Sequence, residues 1–300
     1  MTTAPDDDRG PLSFAAFFGC CAIWGSTFLV IRIGNDALPP LWAASLRLMI
    51  AAVVLFTILA LTRTPVPRGA ALRAAAWFGL LNLGLGFCLI YWGETRVPSG
   101  LTAVMFGTIP LSQPLYARAF GIEKLSPLKF AGAIVAFGGI VLVFSSQLRG
   151  HADPAGLVAV LCAALVSGLS GVMLRRGPAQ SPFGANAIAA IVGLAVCLSG
   201  SFLLHEPHPW PASWPALLPV VYLAVAGSVG AFVLYAWLVH RWPVSRSSFI
   251  AVVVPLMAVS VGALVRNERL SPAEFGGAAL VLAGIGLAIA SDVRRGAPGH

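Results

Sequence analysis

Two segments of this chain decide its fold, because they are copies of one another. Residues 87–98 read FCLIYWGETRVP and residues 232–243 read FVLYAWLVHRWP, so Phe, Leu, Trp, Arg and Pro recur in register. A second pair follows at the same separation, EKLSPLKFAG at 123–132 and ERLSPAEFGG at 268–277. Apolar composition does not by itself align Arg, Glu and Pro, so these segments predict an internal duplication.

The duplicated units belong to a membrane protein. Apolar residues make up 58% of the 300 residues and charged residues only 10%, whereas a soluble domain carries about 25% charged residues. The net charge of +8 comes from basic residues in short loops between apolar runs. That distribution indicates membrane orientation and does not predict a nucleic-acid partner.

Ten apolar runs are long enough to cross a bilayer as helices, which needs about 20 residues each. They cover 13–31, 41–61, 71–92, 99–119, 128–146, 155–174, 184–204, 216–239, 245–265 and 274–291. The duplication then divides the chain into a first five-helix repeat at 12–146 and a second at 154–291, with short tails at 1–11 and 292–300. An odd number of helices per repeat turns the copies upside down relative to each other, so we predict an all-α integral membrane protein with an inverted 5+5 repeat.

The family resemblance rests on three short motifs. Trp24-Gly25-Ser26, EKLSP at 123–127 and NERLSP at 267–272 resemble those of EamA-type exporters of the drug/metabolite transporter superfamily. The resemblance implies two five-helix halves around a central cavity, export of small metabolites, and a place in the bacterial inner membrane. Within the superfamily the chain is most similar to bacterial amino-acid exporters, with neutral or aromatic amino acids as the expected class. Efflux of drugs or cations is the alternative transporter function.

Polar and aromatic residues at mid-depth are the candidates for touching a substrate, because a transported solute needs weak hydrogen bonds near the membrane midplane. Single Ser, Thr and Asn residues also bridge packed helices, which is the competing interpretation. The candidate cavity residues are Trp24, Thr27, Asn82, Thr102, Met105, Ile109, Ser167, Ser170, Ser228 and Tyr235.

Two prolines and one arginine are further candidates. Pro110 and Pro255 occupy equivalent places in the two repeats, and proline bends a helix because it removes a backbone donor; they are candidate hinges for alternating access. Arg47 is the only charge well inside a predicted span. It could bind a substrate carboxylate, or serve as a structural anchor that extends to the membrane interface.

Small residues predict close helix contacts in the last helix of each repeat. Gly132, Ala136 and Gly139 share one face of the fifth predicted helix, and Gly277 and Gly284 share one face of the tenth. Such faces could pack within the bundle or form a homodimer interface.

Other chemistries have less support in the sequence. No Asp or Glu lies in the middle of a predicted span, so we expect facilitated release that is not proton-coupled. The five cysteines lie in apolar runs without metal-ligand spacing, and we expect no metal and no cofactor. A lipid-modifying membrane enzyme would need a base, nucleophile or metal. The nearest cluster is His205, Glu206 and His208, which we interpret as a solvated loop.

Both ends of the chain are expected on the cytoplasmic face. Thirteen of the 19 Lys and Arg residues fall on the side that holds both termini and five on the other, and basic loops resist translocation. Reporter enzymes active on only one side of the membrane, fused to each end in turn, should both report the cytoplasm. Ends on opposite faces would rule out the inverted repeat.

Overall fold

The computed structural model describes residues 10–143, 145, 153–257 and 272–296, and within these ranges the chain forms helices and turns without a strand. The helices are α1 Pro11–Asn35, α2 Pro40–Leu61, α3 Gly69–Glu94, α4 in two halves Ser99–Phe106 and Ile109–Ala119, α5 Pro127–Val143, α6 Pro154–Arg176, α7 Pro182–Leu203, α8 Trp214–Arg241, α9 Val244–Met257 and α10 Pro272–Gly296.

Ten helices in the described ranges agree with the ten predicted runs, and the all-helical membrane fold is confirmed. Six of them are long and apolar enough to span a bilayer, and shorter apolar helices lie at 127–143, 244–257 and 275–288. The second part of the predicted ninth helix, 258–265, lies outside the described residues. So do Glu268 and Ser271, which contribute to the sequence repeat.

The fourth helix differs from the prediction of one continuous span. It is interrupted at Gly107 and Thr108, and Pro110 lies in the first turn of the second half. The ring of a proline clashes with the preceding helical turn and its nitrogen donates no hydrogen bond, so the break falls just before it. A side chain on Gly107 would meet Ile140 of α5, which keeps this bend close to its neighbour.

Both repeats contain a widened helical segment at the same place. In α3 the π-helical residues are Gly79–Gly86 and in α8 they are Leu223–Ala231. Each segment ends directly before one of the repeated phenylalanines, Phe87 or Phe232. Because π-helical turns are rare and concentrate at functional sites, their recurrence shows that the local backbone is duplicated along with the sequence.

The two small-residue faces pack against each other within the chain. A Cβ added to Gly132 would lie 2.5 Å from the Gly284 carbonyl oxygen, and one added to Gly139 would lie 2.7 Å from the Gly277 oxygen. The first glycine of the α5 face, Gly132, therefore meets the second glycine of the α10 face, Gly284. The second glycine of α5, Gly139, meets the first of α10, Gly277. This antiparallel exchange is what a two-fold axis between inverted copies produces. The two faces therefore pack against each other within the bundle, and the homodimer stays a prediction.

A second repeated contact lies at the ends of α3 and α8. The Arg96 guanidinium carbon is 3.7 Å from the centre of the Trp92 ring, and that of Arg241 is 4.3 Å from the Trp237 ring. Trp and Arg suit the boundary between lipid and water. The inverted repeat places one such pair at each end of the bundle.

Loop carboxylates hold the starts of two helices. Glu206 accepts hydrogen bonds from the backbone nitrogens of Leu41 at 3.2 Å and Trp42 at 2.9 Å, at the start of α2. Glu123 does the same for Val244 and Ser245 at the start of α9. A carboxylate satisfies the free amides of a helix N-terminus and its positive dipole end. The loop containing Glu206 was expected to be solvated, but Glu206 is instead hydrogen-bonded to the start of α2.

The α5–α10 crossing predicts a sharp difference between two adjacent glycines. Gly139→Ala should lower the free energy of unfolding by about 1–3 kcal/mol, because the added methyl would overlap the α10 backbone. Gly138→Ala is the matched control, since nothing lies within 4 Å of its Cβ position, and it should be neutral or slightly stabilising. Thermal unfolding of the purified variants compares them, and equal melting temperatures would contradict the close crossing.

Candidate functional site

A central cavity of about 120 Å³ lies between the two repeats. Helices α1 to α4 contribute to its wall from the first repeat, and α6, α8 and α9 contribute from the second. Of the residues proposed from sequence, those that border it are Trp24, Thr27, Arg47, Asn82, Ile109, Ser167 and Tyr235. Transporters built from inverted repeats bind their solute at the interface between the two halves, which is where this cavity lies.

Aromatic rings form much of the wall. The Trp24 ring centre is 5.0 Å from that of Phe232 and 5.6 Å from that of Tyr235, in edge-on and tilted arrangements. Phe87 lies 6.1 Å from Phe232 between ring centres. Such contacts stabilise a rigid apolar surface, against which an aromatic or aliphatic group of a solute can pack.

Phe87 and Phe232 were missed as cavity residues, although the sequence carried a signal for them. They are repeat equivalents, and residues at equivalent positions meet only close to the axis that relates the copies. Their 6.1 Å contact places this axis at the cavity wall. Because the two phenylalanines recur at matching positions of inverted copies, the sequence repeat could have identified them as candidates for the axis. Phe28 and Phe106 are also cavity residues that the sequence did not mark, and their ring centres are 5.2 Å apart.

Arg47 contributes a charged group to the described part of the cavity wall. Its side chain is only 1% exposed and points inward from α2, so it does not extend to the membrane interface. Its Nε donates to the Ser228 hydroxyl at 2.8 Å and its Nη1 to the Tyr91 hydroxyl at 3.3 Å. The guanidinium carbon lies 4.4 Å from the Phe87 ring centre. Close approach to α8 is possible because Gly227 has no side chain: a Cβ there would be 3.0 Å from Nη2.

Within the described residues, no acidic side chain balances the charge of Arg47, since no carboxylate there forms an ion pair with it. Hydroxyls and an aromatic face compensate a buried cation only in part, and burying an unpaired charge is costly. Guanidinium groups match carboxylates with two parallel hydrogen bonds, so this site is suited to a carboxylate ligand.

Neutral polar groups also line the cavity. The Ser167 hydroxyl donates to Asn82 Oδ1 at 2.9 Å, and Gln113 Nε2 donates to the Tyr235 hydroxyl at 3.3 Å. A side chain on Gly171 would overlap both Tyr235 and Gln113, so that glycine makes room for the pair. Gln113 was not predicted, since the two polar residues between Pro110 and Pro114 give no sign of which way either side chain faces.

The remaining candidate residues lie outside the cavity wall. Thr102 is fully buried in the first half of α4, and Met105 is half-buried near its end. Ser170 donates to the Ser167 carbonyl oxygen at 2.6 Å, and the Ser228 hydroxyl accepts the hydrogen bond from Arg47 Nε. Both serines therefore position residues that face the cavity.

The candidate hinges differ in their surroundings. Pro110 is buried two residues after the break in α4. Pro255 is buried within α9, whose irregular turn lies earlier, at Ser248 and Phe249. Their hinge role stays a prediction.

One buried acid lies away from the cavity. Glu94, the last residue of α3, is 1% exposed, and within the described ranges neither carboxylate oxygen has a hydrogen-bond partner. Glu94 lies two residues beyond the predicted span 71–92, and the sequence did not indicate that it is buried. Arg32 packs beside it and donates hydrogen bonds to the carbonyl oxygens of Val97 at 3.1 Å and of Glu94 at 3.5 Å. The described cavity wall contains neither Asp nor Glu.

Comparison with known proteins places this architecture in context. The family described as "EamA-like transporter family" matches the chain twice, at 12–145 and 154–290. The chain is 33% identical over 228 residues to the "uncharacterized inner membrane transporter YedA" of Escherichia coli K12, covering 75% of this chain and 74% of the relative. It is 26% identical over 280 residues to a "probable amino-acid metabolite efflux pump" of the same strain, covering 88% and 90%.

A solved crystal structure has the same fold. The TM-score is 0.75 at 20% identity, over 95% of this chain and 99% of the other.

Replacing Arg47 separates a structural role from a binding role. Arg47→Met should leave the free energy of unfolding unchanged or raise it by about 1 kcal/mol, because a partly compensated buried charge is replaced by an apolar chain of similar length. Arg32→Met is the control and should lower the melting temperature, since Arg32 donates to two carbonyl oxygens. Thermal unfolding in detergent compares the two, and a large loss for Arg47→Met would indicate a structural anchor.

Proposed function

Because the chain belongs to the EamA-like transporter family, we propose that it exports small amphipathic carboxylates, with neutral and aromatic amino acids as the main class. The proposed location is the bacterial inner membrane with both termini in the cytoplasm. The name of the relative YedA supports this membrane. The name of the efflux pump supports export and the substrate class.

The burial of Arg47 in the cavity wall is the main support for the proposed substrate class. Arg47 is a buried cation in the cavity wall, and in the described chain it has hydroxyl partners but no carboxylate partner. A substrate carboxylate would supply the missing negative charge. Ser228 and Tyr91 hold the guanidinium in place, so little side-chain entropy is lost on binding.

The aromatic wall supports an apolar side chain on the same solute. The cavity volume of about 120 Å³ is of the order of the roughly 150 Å³ apolar cavity that accommodates benzene in another protein. A ring packed against Trp24, Phe87 and Phe232 would lie within reach of Arg47, whose guanidinium already stacks on Phe87. The cavity thus combines one apolar and one cationic subsite.

We propose transport by alternating access, and a cavity with walls from both repeats supports it. Movement of one half against the other would open the cavity on one side and then the other. The break at Gly107 and Thr108, next to Pro110, offers a bending point in α4. We propose that Pro255 provides the matching flexibility in α9.

Transport is proposed to be facilitated and not coupled to protons. The described cavity wall has no acidic residue that could exchange a proton with the solute. Glu94 is buried but does not border the cavity, so it provides the critical test. Flux should persist without a pH gradient and in Glu94→Gln.

Purified full-length protein in liposomes tests the substrate class. We expect saturable flux of labelled phenylalanine and slow flux of phenethylamine, which lacks the carboxylate. Arg47→Gln should raise the phenylalanine KM by about 10- to 100-fold, the range expected for loss of one charge-assisted hydrogen-bonded contact. Lys124→Gln, an exposed charge outside the cavity, is the matched control and should behave like wild type.

Other results would select the alternatives. Flux of phenethylamine or a cationic dye in preference to phenylalanine would indicate cation or drug efflux. A modified product without flux would indicate a membrane enzyme. Flux of phenylalanine that stops when the pH gradient is removed would contradict facilitated release.

A further inference from the structure

Two cysteine thiols meet where α3 packs against α7. The sulfur atoms of Cys88 and Cys197 are 3.8 Å apart, and both cysteines are free. Because α3 belongs to the first repeat and α7 to the second, this contact joins the two halves of the bundle. The described cavity wall includes neither cysteine, so the proposed transport mechanism gives them no role.

The two helices approach closely enough here for a covalent link. A Cβ added to Gly193 of α7 would lie 2.6 Å from the Leu83 Cβ of α3, and one added to Gly200 would lie 3.6 Å from Cys88 Sγ. A disulfide requires sulfur atoms about 2.05 Å apart. Since the sulfur atoms of Cys88 and Cys197 already lie at 3.8 Å, rotation of the two side chains can complete the approach.

The two thiols differ in burial and in their partners. Cys88 is half-buried, whereas Cys197 is completely buried. The Cys88 thiol donates to Cys197 Sγ, and the Cys197 thiol donates to the carbonyl oxygen of Leu83, in the π-helical segment, at 3.4 Å. Redox-sensitive cysteines are often placed next to a second cysteine that resolves the first oxidation product, and this pair has that arrangement.

We propose that Cys88 and Cys197 form an intrachain disulfide when a hydroperoxide reaches the protein. The Cys88 sulfur attacks one peroxide oxygen, the O–O bond breaks, and Cys88 becomes a sulfenic acid while the other oxygen leaves as water or an alcohol. The Cys197 sulfur then displaces the hydroxyl group from Cys88 as water, and the S–S bond forms. In total the two thiols lose two electrons and two protons, and the peroxide is reduced.

The position of the pair along the membrane normal supports this chemistry. α3 ends at Glu94 and α7 at Leu203, so both thiols lie within about two turns of a helix end. Both ends are on the side that the basic loops predict to face away from the cytoplasm, where disulfides persist. A hydroperoxide carries no charge, so the apolar region that excludes ionic oxidants admits it.

The disulfide would act on the wall of the central cavity. Phe87 and Ile90, which flank Cys88 in α3, both line the cavity. A covalent link to α7 would hold this part of the first repeat against the second. The effect on transport rests on the alternating access proposed above, because only a cycle that moves the repeats against each other is stopped by linking them.

Counting free thiols tests the disulfide. The purified full chain carrying Cys162→Ala, which removes an exposed cysteine, is treated with hydrogen peroxide, unfolded and labelled with N-ethylmaleimide. Intact mass spectrometry should show that two thiols no longer react, and dithiothreitol should restore both. Adding Cys88→Ala should abolish this loss. Adding Cys21→Ala, a buried cysteine outside the pair, is the matched control and should preserve it.

Cys197→Ala separates the two chemical steps. Without the resolving thiol, Cys88 should stop at the sulfenic acid and be trapped by dimedone, whereas the protein with both cysteines should form little of this adduct. No loss of thiols in the protein with both cysteines, or equal loss after Cys88→Ala, would overturn the proposal. A dimedone adduct on Cys197 in Cys88→Ala would overturn the assigned order of the steps.

Flux in liposomes tests the effect on transport separately. The oxidised protein should lose most of its phenylalanine flux, dithiothreitol should restore it, and Cys88→Ala should not respond to peroxide. A disulfide that forms without changing the flux would overturn the restriction of α3. Absence of phenylalanine flux in the reduced protein would instead contradict the proposed function, while the thiol count would still decide whether the disulfide forms.

Discussion

The rest of the structure depends on the contact between two inverted copies of one five-helix unit. At the α5–α10 crossing the backbones approach so closely that Gly132 and Gly139 leave no space for a side chain opposite Gly284 and Gly277. In lipid, helices gain little from burying apolar surface against each other, so close packing of small residues supplies the association. The reciprocal pairing then fixes an axis on which other equivalent residues must meet.

The central cavity lies where the copies meet away from that crossing. Phe87 and Phe232 come together there, each directly after a π-helical segment. A widened turn changes the direction of the side chains that follow and leaves space beside it. The duplicated irregularity in α3 and α8 therefore makes room for a solute between two otherwise tightly packed halves.

Polar groups in this bundle divide into those that are compensated and those that are not. Glu123 and Glu206 bind free amides of helix starts, so their charges contribute to the fold. Arg47 has two hydroxyls and an aromatic face, which leaves a net charge in the cavity wall. Since lipid gives no solvation to such a charge, we propose that a ligand of opposite sign completes its compensation.

Much of the architecture could be predicted from the order of the residues. Apolar runs of bilayer length follow directly from composition, and the repeated Arg96/Arg241, Pro98/Pro243 and Pro110/Pro255 pairs reveal the duplication. The break in α4 could not be placed beyond the presence of Pro110, because the bend also depends on how Gly107 meets Ile140 of α5.

Length, hydropathy and repetition are properties of the linear chain, so they are enough to predict two inverted helical units in a membrane. Which side chains share the cavity depends on how the helices pack. The rotation of each helix about its own axis turns Arg47 inward and buries Glu94, and that rotation is set by packing against neighbours far away in sequence. A helix that is apolar on every face contains no pattern from which its orientation could be predicted.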